Sequence, residues 1–219
     1  MNEHDAVDWI LDKIGTTNRY CVEFGIKNGM EEVTTPLVMD GWHALYIERD
    51  EHRYREMMRH TSSHHVTCLH RMINAENVND IFAEAAVPDE FDVLSIDVDG
   101  MDYWIWKALR YRPRAVIIEY NATKPPDQLA VIPYDPDFAW NHDRWFGASL
   151  LSLTNLGKSK GYELVGTHDQ GVTAYYVRSD LFPLMNIDDN SVQTLYNKAS
   201  YGGGPEGGHG GNDGEYLAI

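Results

Sequence analysis

The chain is poor in positive charge and in cysteine, and it has no long apolar run. Its 219 residues include 18 lysines and arginines against 34 aspartates and glutamates, which gives a formal net charge of −16 at pH 7. Phosphate backbones and anionic lipid surfaces are bound by clustered basic residues, so neither nucleic acid nor a membrane is an expected partner. No stretch reaches the ~20 apolar residues of a membrane-spanning helix, and residues 1–5 do not resemble a signal peptide. The sequence therefore predicts a cytoplasmic protein whose partner is a small neutral or cationic molecule.

The two cysteines, Cys21 and Cys68, both lie in apolar segments typical of strands. This setting predicts reduced core side chains and not a disulfide pair. A chain of this length can bury a full α/β core without cross-links.

Segments typical of strands alternate with segments typical of helices. The predicted strands cover residues 19–24, 43–47, 65–69, 91–96, 115–119, 162–166 and 172–177. The predicted helices cover residues 5–14, 31–40, 51–60, 77–86, 103–110 and 148–160. Short buried strands that alternate with helices predict a mostly parallel sheet with helices on both faces. The last two strands follow one another around a turn, so we expect them to pair as an antiparallel hairpin.

Residues 1–180 are predicted to form a single domain. A long polar loop at 120–146, rich in aromatic residues and proline, is typical of a functional segment. Residues 181–219 form an extension with a weak helix at 189–198 and a glycine-rich stretch at 202–214. The stretch has too few apolar residues for a core, so we expect it to be mobile.

Two features near the first strands indicate a nucleoside site. The first strand ends in Glu23-Phe-Gly25-Ile-Lys-Asn28-Gly29, where glycines let a ligand approach the backbone and the acidic residue can receive an amino group. Glu48 ends the second strand, 23 positions after Gly25, where a carboxylate can accept hydrogen bonds from two ribose hydroxyls. The alternative is that Glu48 is a solvated strand end or a charge at a helix N-terminus. The pair is more specific than either feature alone and predicts nucleoside binding.

Acidic residues also follow the fourth and fifth strands. Asp97, Asp99 and Asp102 come after the fourth strand, and Glu119 and Asn121 come at the end of the fifth. Asp97, Glu119 and Asn121 could together hold a Mg²⁺-type cation that lowers the pKa of a hydroxyl. The alternative is that Asp97 contacts a cofactor, Asp99 or Asp102 caps the next helix, and Glu119 and Asn121 organise the following loop.

His142 is the histidine with the most informative surroundings. It lies in Phe138-Ala-Trp-Asn-His-Asp-Arg-Trp-Phe146, inside the long loop. An imidazole there could serve as a general base or contact a substrate. It could equally be a histidine at the rim of the site with a satisfied hydrogen bond.

The order of these motifs resembles one enzyme family over about residues 20–178. The segments are Val-Glu-Phe-Gly-x-x-Asn-Gly, Tyr-Ile-Glu, Ser-Ile-Asp-Val-Asp-Gly-x-Asp-Tyr and Ile-Glu-Tyr-Asn. Together they resemble S-adenosylmethionine-dependent methyltransferases of the FkbM-like kind. The resemblance implies the Rossmann-like class I methyltransferase fold, a seven-stranded, mostly parallel sheet whose last strand is antiparallel.

The resemblance also implies a site for the cofactor S-adenosylmethionine. Glu23, Gly25 and Gly29 would line its methionine end, Glu48 would hold its ribose, and Asp97 would orient it. Met72 and Ile73, after the third strand, would flank the adenine. Lys27 departs from the small residues that many relatives carry in this loop, so we expect its side chain to point away from the site.

The implied reaction is methylation of a hydroxyl on a sugar, glycan or natural product. Such a transfer needs alignment of the oxygen, the methyl carbon and the sulfur, and removal of the hydroxyl proton. Glu119 and Asn121 would hold Mg²⁺ or substrate hydroxyls, and His142 or an acidic neighbour would take the proton. Two other functions stay open, a nicotinamide-dependent oxidoreductase and a non-catalytic nucleoside-binding protein. The loop after the first strand lacks the third glycine of the dinucleotide-binding motif, which counts against the oxidoreductase. The terminal hairpin counts against it as well.

Overall fold

The computed structural model describes residues 1–27, 29–30, 32–61, 65–204 and 207–219. Within these residues the strands are β1 (Tyr20–Phe24), β2 (His43–Glu48), β3 (Val66–His70), β4 (Glu90–Ile96), β5 (Arg112–Glu119), β6 (Tyr162–Thr167) and β7 (Thr173–Arg178). The α-helices are α1 (Glu3–Ile14), α2 (Thr35–Met39), α3 (Glu51–His60), α4 (Val78–Glu84), α5 (Asp102–Ala108), α6 (Leu150–Ser159) and α7 (Val192–Leu195), and a short 3₁₀ helix covers Phe182–Met185. None of the helices in the described part of the chain has the length and apolar character needed to cross a bilayer.

All seven strands belong to one sheet in the order β3-β2-β1-β4-β5-β7-β6. Strands β1 to β5 pair in parallel, and β7 is antiparallel to both β5 and β6. The structure thus confirms the predicted fold class, a mostly parallel sheet that ends in an antiparallel hairpin. The chain reverses its direction of winding between β1 and β4, and open α/β sheets bind their ligands in the crevice at such a point.

The strands are buried on both sides, which explains their continuous apolar runs. On one face, the sheet packs against α4, α5 and α6 through side chains such as Phe82, Trp106 and Leu153. On the other face, it packs against α1, α2 and α3, with Ile10 and Leu37 among the contacts. The three layers hold the sheet rigidly, so the loops at its carboxyl edge have a fixed base.

Local chemistry explains where several helices begin. The Asp50 carboxylate accepts a hydrogen bond from the Arg53 amide, so α3 begins at Glu51, as the sequence predicts. The helix predicted over 31–40 is shorter in the structure, where α2 begins only at Thr35. Pro36 lies in its first turn, a position that proline favours. Glu31 lies outside the described residues. The helix predicted over 189–198 is a single turn, α7, capped by the Ser191 hydroxyl.

The described part of the C-terminal segment packs against the loop at 120–149. Leu217 forms an isolated antiparallel bridge with Val131, and the Trp145 indole donates to the Glu215 carbonyl at 3.0 Å. The buried Lys124 ammonium lies 2.7 Å from the Asp213 carboxylate. The segment has few apolar residues of its own and rests on a surface that the loop provides. Its mobility stays a prediction, which hydrogen exchange would test.

Candidate active site

A cavity of about 230 Å³ lies at the carboxyl edge of the sheet, over the point where the winding reverses. Its walls come from the ends of β1, β2, β3 and β4 and from the long loop. The lining residues are Gly25, Ile47, Glu48, Arg49, Asp50, Arg53, Arg71, Met72, Ile73, Asp97, Val98, Asp99, Met101, Phe138, Trp140 and His142. Five of the seven residues predicted to bind the cofactor therefore line one cavity, namely Gly25, Glu48, Met72, Ile73 and Asp97. His142 lines the same cavity.

Gly25 brings the end of β1 against the end of β4. Its φ is +75°, and a Cβ at this position would lie only 1.6 Å from the Asp97 carbonyl oxygen. Its amide donates to the Ile47 carbonyl at 3.2 Å, which ties the turn to β2 as well. No residue with a side chain fits here without movement of the backbone, so the glycine fixes the relative position of three strand ends.

Glu48 lies at the end of β2 and is only 3% exposed. One carboxylate oxygen accepts a hydrogen bond from the Asp50 amide at 2.5 Å. Burial, the largest effect, raises the pKa of this carboxyl group above its ordinary value. Because Glu48 also lines the cavity, its carboxylate can accept hydrogen bonds from a ligand that provides donors.

The turn after β4 is held by Asp102. Its carboxylate accepts hydrogen bonds from the amides of Val98 and Gly100, both at 2.9 Å. Asp99 lies between them with a φ of 59°, which is uncommon for a residue other than glycine. Asp102 thus holds the turn before α5 and does not cap that helix, whose N-cap residue is Met101 without a side-chain hydrogen bond, while Asp97 and Asp99 line the cavity.

A second, smaller cavity of about 30 Å³ adjoins the first and shares Gly25 and Asp97 with it. Most of its polar lining is acidic: Glu3, Glu23, Glu32, Asp97 and Glu119. Burial, with the charges of Asp102 and Asp99, raises the pKa of Asp97 to about 8. Burial, and then the charge of Asp97, raises the pKa of Glu119 well above its ordinary value. A cation bound here would favour the ionised carboxylates.

Glu119 has an unsatisfied atom in this cluster. Its Oε2 is buried and has no hydrogen-bond partner among the described residues. A buried polar atom without a partner is costly, and such an atom in a cavity marks a place where a ligand donor would be stabilising.

Lys27 lines the acidic cavity and is itself exposed, and the outward direction of its side chain stays a prediction. Its positive charge lowers the pKa of Asp97 and so opposes the effect of burial. The surplus of carboxylates in this cavity attracts an ammonium group.

Two predicted cofactor residues have other contacts. Both oxygens of the Glu23 carboxylate accept hydrogen bonds from the loop before α2, from the Val33 amide at 3.0 Å and from the Thr34 amide at 2.9 Å. Burial raises the pKa of Glu23 to about 7. Gly29 packs against α3, where an added Cβ would lie 3.0 Å from Thr61. Glu23 lines only the smaller cavity, Gly29 lines neither, and Asn28 lies outside the described residues.

The residues predicted to hold a metal ion do not fit that role. The Asn121 amide nitrogen donates to the carbonyls of Arg144 and Phe146, both at 3.0 Å. Its oxygen accepts from the Thr123 amide at 3.1 Å and from the Thr123 hydroxyl at 2.6 Å. Asn121 is therefore fully engaged in organising the loop, and Asp97 and Glu119 are left without a third ligand. No group of three metal-binding side chains occurs elsewhere in the described ranges.

His142 lies in the wall that the long loop contributes. Its φ is 60°, so it is the second residue other than glycine with a left-handed backbone in this cavity. Its ring lies 4.7 Å from the Trp140 ring, centroid to centroid. The Arg49 guanidinium donates to the Phe138 carbonyl at 3.4 Å and so connects the end of β2 to the same loop. Strained residues kept at a cavity wall indicate a functional constraint.

The main cavity also has three arginines, Arg49, Arg53 and Arg71; sequence reasoning missed the first two and included Arg71 only as part of the segment 70–74 expected beside the adenine. Arg49 and Arg71 directly follow the ends of β2 and β3, and Arg53 lies in the first turn of α3. A search of every strand end for charged residues of either sign would have found Arg49 and Arg71.

The buried carboxyl groups predict a fall in stability with rising pH. The pKa values of Asp97, about 8, and Glu23, about 7, lie above the ordinary 3.8 and 4.5. The folded protein therefore binds more protons than the unfolded chain between about pH 4 and pH 8, and it loses this stabilisation as the pH rises. Calorimetry should show a melting temperature lower at pH 8.5 than at pH 5.5 by at least about 4 °C.

In the same experiment, Asp97→Asn should reduce the pH dependence, because the amide does not titrate. A melting temperature that stays constant or rises over this range would contradict the prediction. Exposed carboxyl groups with a lowered pKa, such as Asp180 and Asp189, stabilise the folded state when ionised. They lose this stabilisation only below about pH 4, so they do not affect the comparison between pH 5.5 and pH 8.5.

Comparison with solved structures finds proteins of the same fold. The N-terminal domain of EvdMO1, solved in the presence of S-adenosylhomocysteine and D-fucose, has 14% identity over 81% of this chain and 83% of its own, with a TM-score of 0.53. Magnesium protoporphyrin IX methyltransferase from Synechocystis PCC 6803, with bound S-adenosylhomocysteine, has 13% identity over 81% of each chain and a TM-score of 0.50. The fibrillarin pre-rRNA processing protein of Methanococcus jannaschii has 12% identity over 81% of this chain and 76% of its own, also with a TM-score of 0.50.

No family model matches the chain, and neither does any curated protein. At these identities the likeness shows the fold, which is the class I methyltransferase fold that the sequence predicted. The acceptors suggested by the names of these proteins differ widely, so the fold does not determine the substrate.

Proposed function

We propose that the chain is an S-adenosylmethionine-dependent methyltransferase that acts on a hydroxyl of a small, sugar-like acceptor. The observation that carries the proposal is the pair of adjoining cavities that share Gly25 and Asp97. The larger one has a buried carboxylate, Glu48, in the position for a ribose, and the smaller one is acidic. A ligand with a nucleoside at one end and an amino acid at the other matches both.

The charge of the acidic cavity matches the ammonium group at the amino-acid end of the cofactor. An α-ammonium group would compensate for the charges of Asp97 and Glu119 and would give the unpartnered Glu119 Oε2 a donor. Lys27 lines the same cavity, and its ammonium group would pair with the α-carboxylate. In the larger cavity, Glu48 would accept from the ribose hydroxyls, and Met72 and Ile73 would contact the adenine.

When bound, S-adenosylmethionine supplies an electrophilic methyl group on a positively charged sulfur. The chain's own contribution is to orient the two reactants and exclude water. Phe138 and Trp140 form an apolar wall over the cavity, and His142 lies beside them. A neutral imidazole can accept the hydroxyl proton as the oxygen attacks. Asp99, which also lines the cavity, is the acidic neighbour that could take this role instead.

Two considerations support a hydroxylated sugar as acceptor. Sugar rings present an apolar C–H face and hydroxyl groups, and the cavity offers both an aromatic wall and carboxylates. The EvdMO1 domain, which has the same fold, was solved with D-fucose present. We include no divalent cation in this mechanism, because the Asn121 side chain is fully engaged in the loop.

Calorimetric titration of the chain with S-adenosylhomocysteine and with NAD tests the proposal. We expect micromolar or tighter binding of S-adenosylhomocysteine and no binding of NAD at the same concentrations. Tight binding of NAD alone would support the oxidoreductase and overturn the proposal. Transfer of a labelled methyl group to a panel of sugars, glycans and hydroxylated metabolites would then identify the acceptor. Binding without transfer to any member would favour a non-catalytic nucleoside-binding protein.

A further inference from the structure

We propose that the C-terminal segment forms part of the acceptor site, with His209 as a positioning residue that fixes Trp140 and His142 in the cavity wall. The proposal rests on the proposed function and deepens it, because it adds residues to the acceptor side of the same site. Neither the predicted site nor the lining of the cavity includes His209.

Five rings form one cluster at the edge of the cavity. The His209 ring lies 4.5 Å from the Trp140 ring at an interplanar angle of 75°. His142 contacts Trp140 at 4.7 Å, so two histidines contact the same indole. Phe146 and Tyr201 complete the cluster, at 5.9 and 5.3 Å from His209. Edge-to-face contacts at these distances stabilise a fixed ring orientation. The position of the Trp140 ring in the wall therefore depends on the segment.

The segment is held against the loop by contacts along its length. Asp213 accepts two hydrogen bonds from the Lys124 ammonium, at 2.8 and 2.7 Å, and this ammonium also lies 4.0 Å from the centre of the Tyr216 ring. The Tyr216 hydroxyl donates to the Arg144 carbonyl at 2.8 Å. Because Lys124 is only 5% exposed, loss of Asp213 would leave a buried ammonium group without its partner, which is strongly destabilising.

The glycines of the segment permit this close approach. Gly208 has a φ of +72°, and an added Cβ would lie 2.9 Å from the Thr123 methyl carbon. At Gly214 an added Cβ would lie 2.6 Å from the Trp145 indole nitrogen. Glycine at these two positions therefore permits close packing against the loop. A disordered linker would not need glycine at these particular positions.

The electrostatic surroundings of the segment support the same location. Burial, and then the charge of His142, lowers the pKa of His209, while Asp99 raises it. Burial raises the pKa of Tyr201, and the charges of Glu119 and Asp97 add to the effect. His209 thus lies near two groups of the main cavity, and Tyr201 lies near the carboxylates of the acidic one.

The arrangement favours an acceptor with one apolar face and several hydroxyls, such as a pyranose. The C–H face of such a ring would stack on Trp140, and its hydroxyls would reach Asp99 and His142. A loose Trp140 would weaken acceptor binding and leave the cofactor contacts at Gly25 and Glu48 intact. His209 would therefore affect the acceptor KM and not the affinity for S-adenosylhomocysteine.

The test compares His209→Ala with His209→Phe, which retains an aromatic ring. With the best acceptor from the panel, we expect His209→Ala to raise the acceptor KM at least about ten-fold. The S-adenosylhomocysteine Kd should stay within two-fold of the wild-type value, and His209→Phe should restore the KM to within about three-fold. His52→Ala, on the exposed surface of α3, is the matched control. An unchanged acceptor KM in His209→Ala would overturn the proposal.

Hydrogen exchange tests the proposal without an acceptor. In the S-adenosylhomocysteine complex, His209→Ala should accelerate exchange in residues 138–146, and His209→Phe should not. Lys124→Met, which removes the ion pair with Asp213, should have the same effect as His209→Ala, whereas Lys158→Met on the exposed side of α6 should have none. Wild-type exchange rates in His209→Ala would overturn the proposal. Failure of S-adenosylhomocysteine to bind the wild-type chain would overturn the proposed function instead.

Discussion

Gly25→Ala should weaken binding of S-adenosylhomocysteine at least about 100-fold and lower the melting temperature by about 6 °C or more. The added Cβ would lie 1.6 Å from the Asp97 carbonyl oxygen, less than half of a van der Waals contact. The ends of β1 and β4 must then move apart by more than an ångström. Displacements of about 1 Å in a site can cost about 100-fold in function, and the left-handed backbone adds ~1–2 kcal/mol for a residue with a Cβ.

Gly41→Ala is the matched control for this variant. Gly41 has a φ of +84°, close to the +75° of Gly25, but an added Cβ there meets nothing within 4 Å. It should therefore show the backbone cost alone, with no change in ligand affinity. Calorimetry of binding and of unfolding on both variants separates the two effects. Binding by Gly25→Ala within about three-fold of the wild-type affinity would show that the approach of β1 to β4 does not shape the site.

The sheet could be predicted from sequence because its strands are short, apolar and separated by clear turn residues. Six of the seven residues of β4 are buried, and the apolar ones among them, such as Phe91, Val93 and Leu94, indicate a strand covered on both faces. The position of β7 between β5 and β6 could not be read in the same way. Strand order within a hairpin depends on which edge strand of the parallel sheet it joins, and no local pattern encodes that choice.

The site was predictable where a residue directly ends a strand. Glu48 and Asp97 line the cavity because the carboxyl ends of parallel strands meet at one edge. Gly29 and Asn121 lie further along their loops, and the direction of a loop depends on tertiary contacts. Gly29 packs on α3, and the Asn121 amide binds carbonyls some 23 to 25 residues away. The residue types matched the expected chemistry, but the chain uses them to fix its own loops.

The C-terminal segment shows a second limit of sequence reasoning. Some of its contacts with the loop use backbone groups of the segment, such as the Glu215 carbonyl that accepts from the Trp145 indole and the Asn212 carbonyl that accepts from the Arg144 amide. Every residue has a carbonyl, so no pattern of side chains marks these bonds. A glycine-rich composition is therefore compatible both with a mobile linker and with a segment that packs closely on another surface.

Glu48→Ala should weaken binding of S-adenosylhomocysteine by at least about 100-fold. Hydrogen bonds to a charged group contribute ~1.5–3 kcal/mol each, and the Glu48 carboxylate would accept from two ribose hydroxyls. The substitution also frees the Asp50 amide, which Glu48 binds at 2.5 Å, so the start of α3 should lose some stability. Glu48→Gln keeps an acceptor for this amide, and we expect about a ten-fold loss of affinity with little change in the melting temperature. Glu51→Gln, in an exposed pair with Arg55, should leave both quantities unchanged.

A ligand pair tests whether Glu48 acts on the ribose. The wild-type chain should bind adenosine more tightly than 2′,3′-dideoxyadenosine, and the preference should nearly vanish in Glu48→Ala. Such a cycle isolates the interaction between the carboxylate and the hydroxyls, because any general damage to the cavity affects both ligands equally. If Glu48→Ala kept the full preference, the ribose would contact other residues, and Asp50 would become the candidate, since this residue also lines the cavity. Glu48→Ala could lose the preference for adenosine and still bind S-adenosylhomocysteine through the acidic cavity. That result would show that the two ends of the ligand are recognised independently, as the adjoining cavities imply.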